Sequence, residues 1–531
     1  MFWKWKSDRR GLALLNLRYM ACETTCALGV ALLAGCATPP SIVGSEIAWQ
    51  KESPTIQLHL LNRITWGANT NEVRELNGRG VERYLDSQLH PNFKAGLPIS
   101  AQAQLDAMQI GQKNMEQLVL EAELRRKAAD SIASDEDKKA AQQTYQQQLN
   151  FLAKETATRS ILRDLYSPQQ LQEQMTWFWM NHFSVHQGKS NLRAMIADYE
   201  DKIRTNAIGR FRDFLAITTR HPAMLRYLDN EQNAQGHINE NYARELMELH
   251  TLGVNGGYSQ RDVQELARIL TGLGVSLSDR RPGIKRELQG QYIRDGLFEF
   301  NPNRHDYGDK MFLGKLVRGR GIAEVDEVLD RLARHPATAH FVSRKLAVYF
   351  VSDNPSDALI ERLAQTFQSS DGQIGEVLQT LFHSPEFRAS LGKKFKDPIH
   401  YVVSAVRLAY DDKTILNAGP LINWLNRMGE PLYGHQTPDG YPLAQADWAS
   451  SGQMTTRFEI AKALGTGNAG LFRSDGPQPI ERAAFPQLAN ALYYQSWQAA
   501  LGPTTKAALD EAGSAQEWNT FLLASPEFMN R

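Results

Sequence analysis

The chain has 531 residues, 42% of them hydrophobic, and its 59 basic and 59 acidic residues give a formal net charge of zero. This balance provides no basic surface for nucleic acid, so we expect no nucleic-acid partner. Beyond the N-terminal leader, no apolar run approaches the roughly 20 residues that a membrane-spanning helix needs. The length allows several domains or one large helical body.

Residues 1–35 have the features of a signal peptide, because a basic segment precedes an apolar one. The apolar segment ends in LLAGC at 32–36, which resembles the lipobox of bacterial lipoproteins. The resemblance implies that Cys36 receives an acyl chain such as palmitate, and that residues 36–55 form a lipidated tether at a membrane. A plain secretion signal or a short buried helix is the alternative, and Arg9-Arg10 leaves twin-arginine export open beside the general route.

Cysteine usage agrees with an exported lipoprotein. Cys22, Cys26 and Cys36 all lie in the leader or at its cleavage site. The mature chain would then carry one lipidated cysteine and no disulfide, which excludes thiol catalysis and cysteine-based zinc sites. We therefore expect a cell-envelope location, with the lipid in a membrane and the body facing the periplasm or the cell exterior.

Helical patterns dominate residues 56–531 and predict a mainly α, multi-helical body. Within it, residues 101–160 predict a long helical hairpin that protrudes from the body. FEF and MFLGKLV, inside an insert at 285–320, flank a polar turn and predict one small β-hairpin. Residues 429–453 predict a loop-rich lip over a cavity. Its candidate ligand contacts are Tyr441 and Trp448.

The segment NENYARELMELH at 239–250 contains the main candidate site. At about 100° per residue, His250 falls in the middle of the apolar face of a helix. Glu245 lies at the border of that face, and Asp262 follows on the next helix, where it forms a capping-box pair with Ser259. We predict a buried catalytic site in which His250 carries or orients a proton and Glu245 and Asp262 supply carboxylates. A core histidine satisfied by one carboxylate or carbonyl is the alternative.

Two further histidine-containing patterns are candidates for metal binding or ligand contact. His182 and His186 are four residues apart, the spacing of a metal-binding pair on a helix, and with His250 they predict a transition-metal site as an alternative. The sequence itself requires no cofactor. His305 and Asp306 follow FEFNPNR and are candidate ligand contacts, although turn chemistry also explains Asp306.

Several segments together resemble the DUF1800 family of bacterial proteins, from about residue 56 to the end. They include LLNRITWGANTNEVRELNGRG, WFWMNHFSV, NENYARELMELHTLGVNGGYSQRDVQELARILTG, NRHDYGDKMFLG and LFHSPEF. The resemblance implies an exported protein. It also implies a partner from DUF1501, a second exported family with a sulfatase-like fold. It supplies no catalytic residues.

These observations predict an exported lipoprotein that binds or helps to process an exported polymer or a partner protein at the cell envelope. A periplasmic hydrolase with a carboxylate and histidine acid–base pair is one alternative. A metal-binding helical protein is the other. The sequence leaves open whether the protein is an enzyme.

Overall fold

The computed structural model describes residues 48–50, 52–92, 96–278, 280–411, 413–473 and 485–531. The predicted signal peptide, Cys36 and most of the tether lie outside the described residues. The described residues from 48 to 531 belong to one compact unit.

The N-terminal third is helical and begins with a well-formed cap. Ser53 accepts a hydrogen bond from the Ile56 amide, and Pro54 occupies the first helical position, so the sequence starts a helix there. The helices of this part are α1 Pro54–Ile64, α2 Thr70–Arg79, α3 Val81–Leu89, α4 Ile99–Asp106, α5 Gln109–Gln112, α6 Met115–Asp130 and α7 Asp135–Tyr166.

The predicted helical hairpin consists of α6 and α7, which pack against each other. Asn114 forms a capping box at the start of α6, and Ser134 caps α7. The residues around the turn, 131–139, are mostly exposed, whereas the second half of α7 buries an apolar face. Only part of the hairpin is therefore solvated, and α7 also forms part of the core.

The central part is again helical, with short connections. Its helices are α8 Gln170–His182, α9 Ile196–Asn206, α10 Phe211–Arg220, α11 Pro222–Tyr227, α12 Asn241–Glu248 and α13 Gln260–Ile269. Short 3₁₀ turns occupy Leu192–Ala194 and Asn230–Gln232. The helical seams of α12 and α13 pack together, as predicted from their amphipathic patterns.

Two small antiparallel sheets follow, where the sequence predicted one hairpin. The strands are β1 Leu273–Val275, β2 Ile293–Asp295, β3 Phe298–Phe300, β4 Lys310–Phe312 and β5 Lys315–Val317. The first sheet has the order β1-β3-β2, with Phe300 opposite both Leu273 and Ile293. FEF therefore pairs with its neighbours and not with MFLGKLV, which folds on itself as β4 and β5.

Local turn chemistry explains this difference in pairing. Gly296 has φ +55° between β2 and β3, and Leu313 and Gly314 have φ +49° and +70° between β4 and β5. Two successive positive φ values are typical of a type I′ turn, and a glycine with positive φ at the first turn position is typical of a type II′ turn. Each pair of strands therefore closes through its own two-residue turn. Further 3₁₀ turns occupy Arg286–Gln291 and Pro302–Arg304.

The remainder of the chain returns to helices. They are α14 Ile322–Ala333, α15 Pro336–Phe350, α16 Asp357–Ser369, α17 Ile374–Phe382, α18 Pro385–Ser390, α19 Pro398–Ala409, α20 Gly419–Arg427, α21 Gln445–Trp448, α22 Ser451–Gly465, α23 Gln498–Ala500, α24 Pro503–Asp510 and α25 Ala515–Leu523. A π-helical turn, Tyr493–Trp497, precedes α23. The predicted fold class, mainly α with a small β region, is confirmed.

One hydrophobic core extends through the described chain, from Trp49 to Met529. Among the helices that the structure describes, none combines the length and apolar character needed to cross a bilayer.

Candidate functional site

His250 points into the core, as its position in the apolar pattern predicted, and its exposed fraction is 0%. The helix does not reach it: α12 ends at Glu248, and the His250 amide instead donates to the carbonyl of Glu245. The ring of Phe183 lies 5.1 Å from the imidazole of His250, and the ring of His182 lies 6.1 Å away, centroid to centroid.

The imidazole of His250 has no acidic partner. No described residue hydrogen-bonds either of its ring nitrogens. Burial, and secondarily the charge of Lys345, lowers the pKa of His250 to about 3, so the ring is neutral at physiological pH. The hydrogen bond between His182 and His250 involves the backbone of His250, with 3.1 Å between Nε2 of His182 and the carbonyl oxygen of His250.

The two predicted carboxylates serve other roles. Asp262 closes the capping box with Ser259 and accepts a second bond of 2.7 Å from the Leu313 amide. Glu245 is half-buried, and burial followed by the charge of Glu248 raises its pKa. The predicted combination of His250, Glu245 and Asp262 is therefore not hydrogen-bonded together, because Asp262 is used at a helix N-terminus and the chain turns away after Glu248.

The described residues do not form the ligand cluster that a metal site would need. Over the described ranges, no group of three or more His, Cys, Asp or Glu side chains is arranged to hold a metal ion. His182 and His186 thus do not converge with His250 as the spacing suggested, since α8 ends at His182 and His186 lies in the following loop.

His305 and Asp306 form structural contacts and not a ligand surface. His305 is buried, with its Nε2 3.0 Å from Glu324 and its Nδ1 2.8 Å from the carbonyl of Thr271. Lys310 completes this buried cluster, 2.5 Å from Glu324. Asp306 pairs with Arg268 at 2.7 Å. The predicted ligand role of both residues is replaced by a link between the β region and α13 and α14.

Residues of the lip, 429–453, line a small cavity. Tyr441 lines a cavity of about 30 Å³. Trp448 does not reach it: the indole is buried, and its Nε1 donates to the carbonyl of Pro442 at 2.9 Å. Tyr441 itself donates from its hydroxyl to Pro431 at 2.7 Å, so the two aromatic side chains hold the lip in shape.

The structure also contains a cleft of about 700 Å³ that the sequence did not indicate. Its walls come from the start of α6, from α9, from the junction of α10 and α11, from β2 and β3, and from α14. Four residues with carboxylate groups and two with cationic groups line the cleft. The acids are Glu116, Asp198, Asp295 and Asp326, and the cations are Lys202 and Arg220.

A histidine and an aspartate meet in the cleft wall. His221 caps α11, because its Nδ1 accepts the Ala223 amide at 3.1 Å, and its Nε2 therefore carries the proton that it donates to Asp198 at 3.0 Å. Burial lowers the pKa of His221 although Asp198 opposes this, so the imidazole is neutral. Lys202 lies 3.6 Å from the same carboxylate.

No local motif signals this pair, since Asp198 and His221 are 23 residues apart and lie on different helices. His221 and Pro222 occupy the N-cap and the first position of α11. This pattern indicates a cap and not a cleft.

The fold and the cleft define a mainly α-helical protein with an open ligand-sized groove. Over residues 59–530 the chain matches the family described as "Protein of unknown function (DUF1800)", and it belongs to that family. The resemblance seen in the sequence is thereby confirmed. Neither a curated protein nor a solved structure matches the chain.

Proposed function

We propose that the protein is a lipid-anchored envelope protein that binds a segment of an exported polymer or partner protein in the cleft. The observation that carries this proposal is the cleft itself, whose volume of about 700 Å³ falls within the range of ligand sites. The location rests on the LLAGC lipobox and the basic leader before it.

The character of the walls favours a largely apolar segment. Apolar side chains such as Ile217, Leu297 and Ile322 line the cleft. The carboxylates of Glu116, Asp198 and Asp326 lie within ion-pair distance of Arg294, Lys202 and Arg220, so the walls carry little net charge. β2 is an edge strand at this opening, and it offers unpaired backbone groups to an extended chain.

Binding explains the cleft better than hydrolysis does. A general base needs a free nitrogen within reach of its substrate, and both nitrogens of His221 are already engaged. Asp198 is likewise engaged by His221 and Lys202. The hydrogen-bonded pair of His221 and Asp198 therefore stabilises the wall of the cleft. A hydrolase that uses it would first have to break the bond between Asp198 and His221.

The test is site-specific photo-crosslinking in intact cells. A photoreactive residue replaces Ile293, which is 37% exposed and lines the cleft, and in the control it replaces Phe458, which is 46% exposed on α22. We expect a discrete adduct from position 293 that position 458 does not give, and mass spectrometry identifies it as protein or glycan. A DUF1501-family protein is the first partner to look for. Identical adducts from both positions, or none from either, contradict the proposal.

A further inference from the structure

The three-stranded sheet has two outer edges, and the edge formed by β1 is covered. In an antiparallel pair, residues whose backbone groups bond the neighbouring strand alternate with residues whose groups point away from it. Leu273 on β1 is of the second kind. Its carbonyl accepts a hydrogen bond of 3.1 Å from the side chain of Asn230. A further strand therefore cannot pair freely with β1.

The edges of the two-stranded sheet are covered in the same way. The Met311 amide on β4 donates to the carboxylate of Glu265, on α13, at 3.0 Å. The Leu316 carbonyl on β5 accepts a hydrogen bond from Arg331, on α14, at 3.2 Å. Side chains that bond an outer edge protect it from pairing with another chain.

The outer edge of β2 is different. Glu299, on the central strand β3, directs its backbone groups toward β1. Arg294 lies opposite Glu299 on β2, so its own amide and carbonyl point away from the sheet. Within the described residues, no hydrogen bond reaches either of these two backbone groups.

Neighbouring side chains do not cover this edge either. The guanidinium of Arg294 bonds the carbonyls of Gly296 and Ser278, at 3.1 and 2.6 Å. Glu116 on α6 contacts the same guanidinium, at 3.7 Å, and not the backbone of the strand. Among the described strands, β2 thus has the one outer edge that no side chain bonds, and this edge lies at the cleft.

The face of β2 that borders the cleft continues the buried face of the sheet. Side chains alternate along a strand, so Ile293 and Asp295 lie on one face and Arg294 on the other. Ile293 and Asp295 line the cleft, and their partners in register, Phe300 and Phe298, are buried in the core. A strand paired with β2 would therefore direct every second side chain into the cleft.

The cleft walls match uncharged side chains on such a strand. Ile217 and Ile322 provide apolar surface opposite β2. The acidic groups of the walls are paired with cations, including Asp326 with Arg220 at 2.7 Å. A charged side chain from a ligand would have to compete with these pairs, whereas an apolar one would bury its surface without disturbing them.

We infer that the cleft takes an extended polypeptide, which pairs with β2 as a fourth strand of the sheet and directs apolar side chains at alternate positions into the cleft. A glycan lacks the backbone N–H and C=O groups that recur along a strand, so it cannot extend the sheet. This inference rests on the proposed function of the cleft and names the chemical class of its ligand.

Proline at position 294 tests the pairing. It removes the amide proton that points outward and leaves the bonded pairs of Ile293 and Asp295 with β3 in place. Arg294→Ala removes the same side chain but keeps the amide proton. With a photoreactive residue at Ile217 in the cleft wall, we expect Arg294→Pro to give at least about tenfold less protein adduct in intact cells than Arg294→Ala.

Leu316→Pro is the matched control. Leu316 occupies the equivalent central position of β5, where its backbone groups also point outward, and it lies away from the cleft. This variant should give as much adduct from position 217 as the wild type does.

A second measurement keeps the inference falsifiable if Arg294→Pro does not fold. The crosslinked segment, identified by mass spectrometry, is synthesised as a peptide, and its amides are N-methylated one at a time. Isothermal titration into the wild-type full chain in detergent micelles measures binding. Methylation of the amide that faces Arg294 should weaken binding at least about tenfold. The amides on either side of it face away from β2, and their methylation should change binding by less than about threefold.

Three results would overturn the inference and leave the proposed function of the cleft standing. The first is a wild-type adduct from position 293 that is a glycan. The second is equal protein adducts from folded Arg294→Pro and Arg294→Ala. The third is equal weakening by methylation of neighbouring amides. The absence of any adduct from position 293 would instead contradict the proposed function itself.

Discussion

A buried imidazole without hydrogen-bond partners costs stability, and His250 is such a group. We predict that His250→Leu, which replaces it with an apolar side chain of similar volume, leaves the protein equally stable or about 1 kcal/mol more stable. The bond from His182 to the backbone carbonyl of His250 is kept in this variant. Urea unfolding of the two proteins measures the difference.

Tyr242→Phe is the control at the same helix seam. It removes the buried bond of 3.0 Å to Thr219 and should cost about 1 kcal/mol. If His250→Leu lowers the free energy of unfolding by more than about 2 kcal/mol, the imidazole makes a favourable interaction. His250 would then again be a candidate for a functional role.

Glu324 should make folding depend on acid pH. Burial alone would raise its pKa, but hydrogen bonds from His305 and Lys310 outweigh burial and lower it. A lowered folded-state pKa means that the stabilising contribution is present above the unfolded pKa, about 4.3. The contribution is lost as the pH falls through the folded value.

We therefore expect Glu324→Gln to be less stable than the wild type at pH 7, with the gap narrowing as the pH falls toward 3. Urea midpoints across this range measure the gap. A gap that stays constant over the whole range would assign the effect to packing and not to the charge.

At the scale of elements, the lip depends on one close approach of two backbones. A Cβ on Gly440 would overlap the carbonyl oxygen of Asn181 and would lie 2.7 Å from its side-chain oxygen. Gly440→Ala should therefore separate the lip from Asn181, and hydrogen exchange should become faster over residues 430–441.

Gly452→Ala is the matched control, since it lies in α22 with open space around its Cβ. This change should raise stability by up to about 1 kcal/mol, because alanine favours helix more than glycine does. Unchanged exchange in the lip of Gly440→Ala would mean that the contact with Asn181 does not hold it.

Element starts could be predicted from sequence better than element ends or pairings. The capping box of Ser259 and Asp262 is local chemistry and was identified correctly. The end of α12 at Glu248 was not, because no Gly or Pro follows until Gly253 and packing sets the end. The strand pairing also failed, since two turns separately closed β2–β3 and β4–β5.

At the scale of the whole molecule, the fold class and the family followed from helical pattern and motif order, but the sites did not. The bond between Asp198 and His221 spans 23 residues and joins side chains that have no local motif in common. Side chains brought together by tertiary packing carry no local spacing signal. The sequence therefore predicted a buried histidine correctly and its acidic neighbours wrongly.

The most direct measurement of the central claim is hydrogen exchange in the full chain, compared between isolated cell envelopes and purified protein in detergent. If the cleft binds an envelope component, exchange over residues 293–298 should be slower in envelopes, while exchange in α22 should be the same in both. Equal exchange over 293–298 in the two preparations would contradict the account.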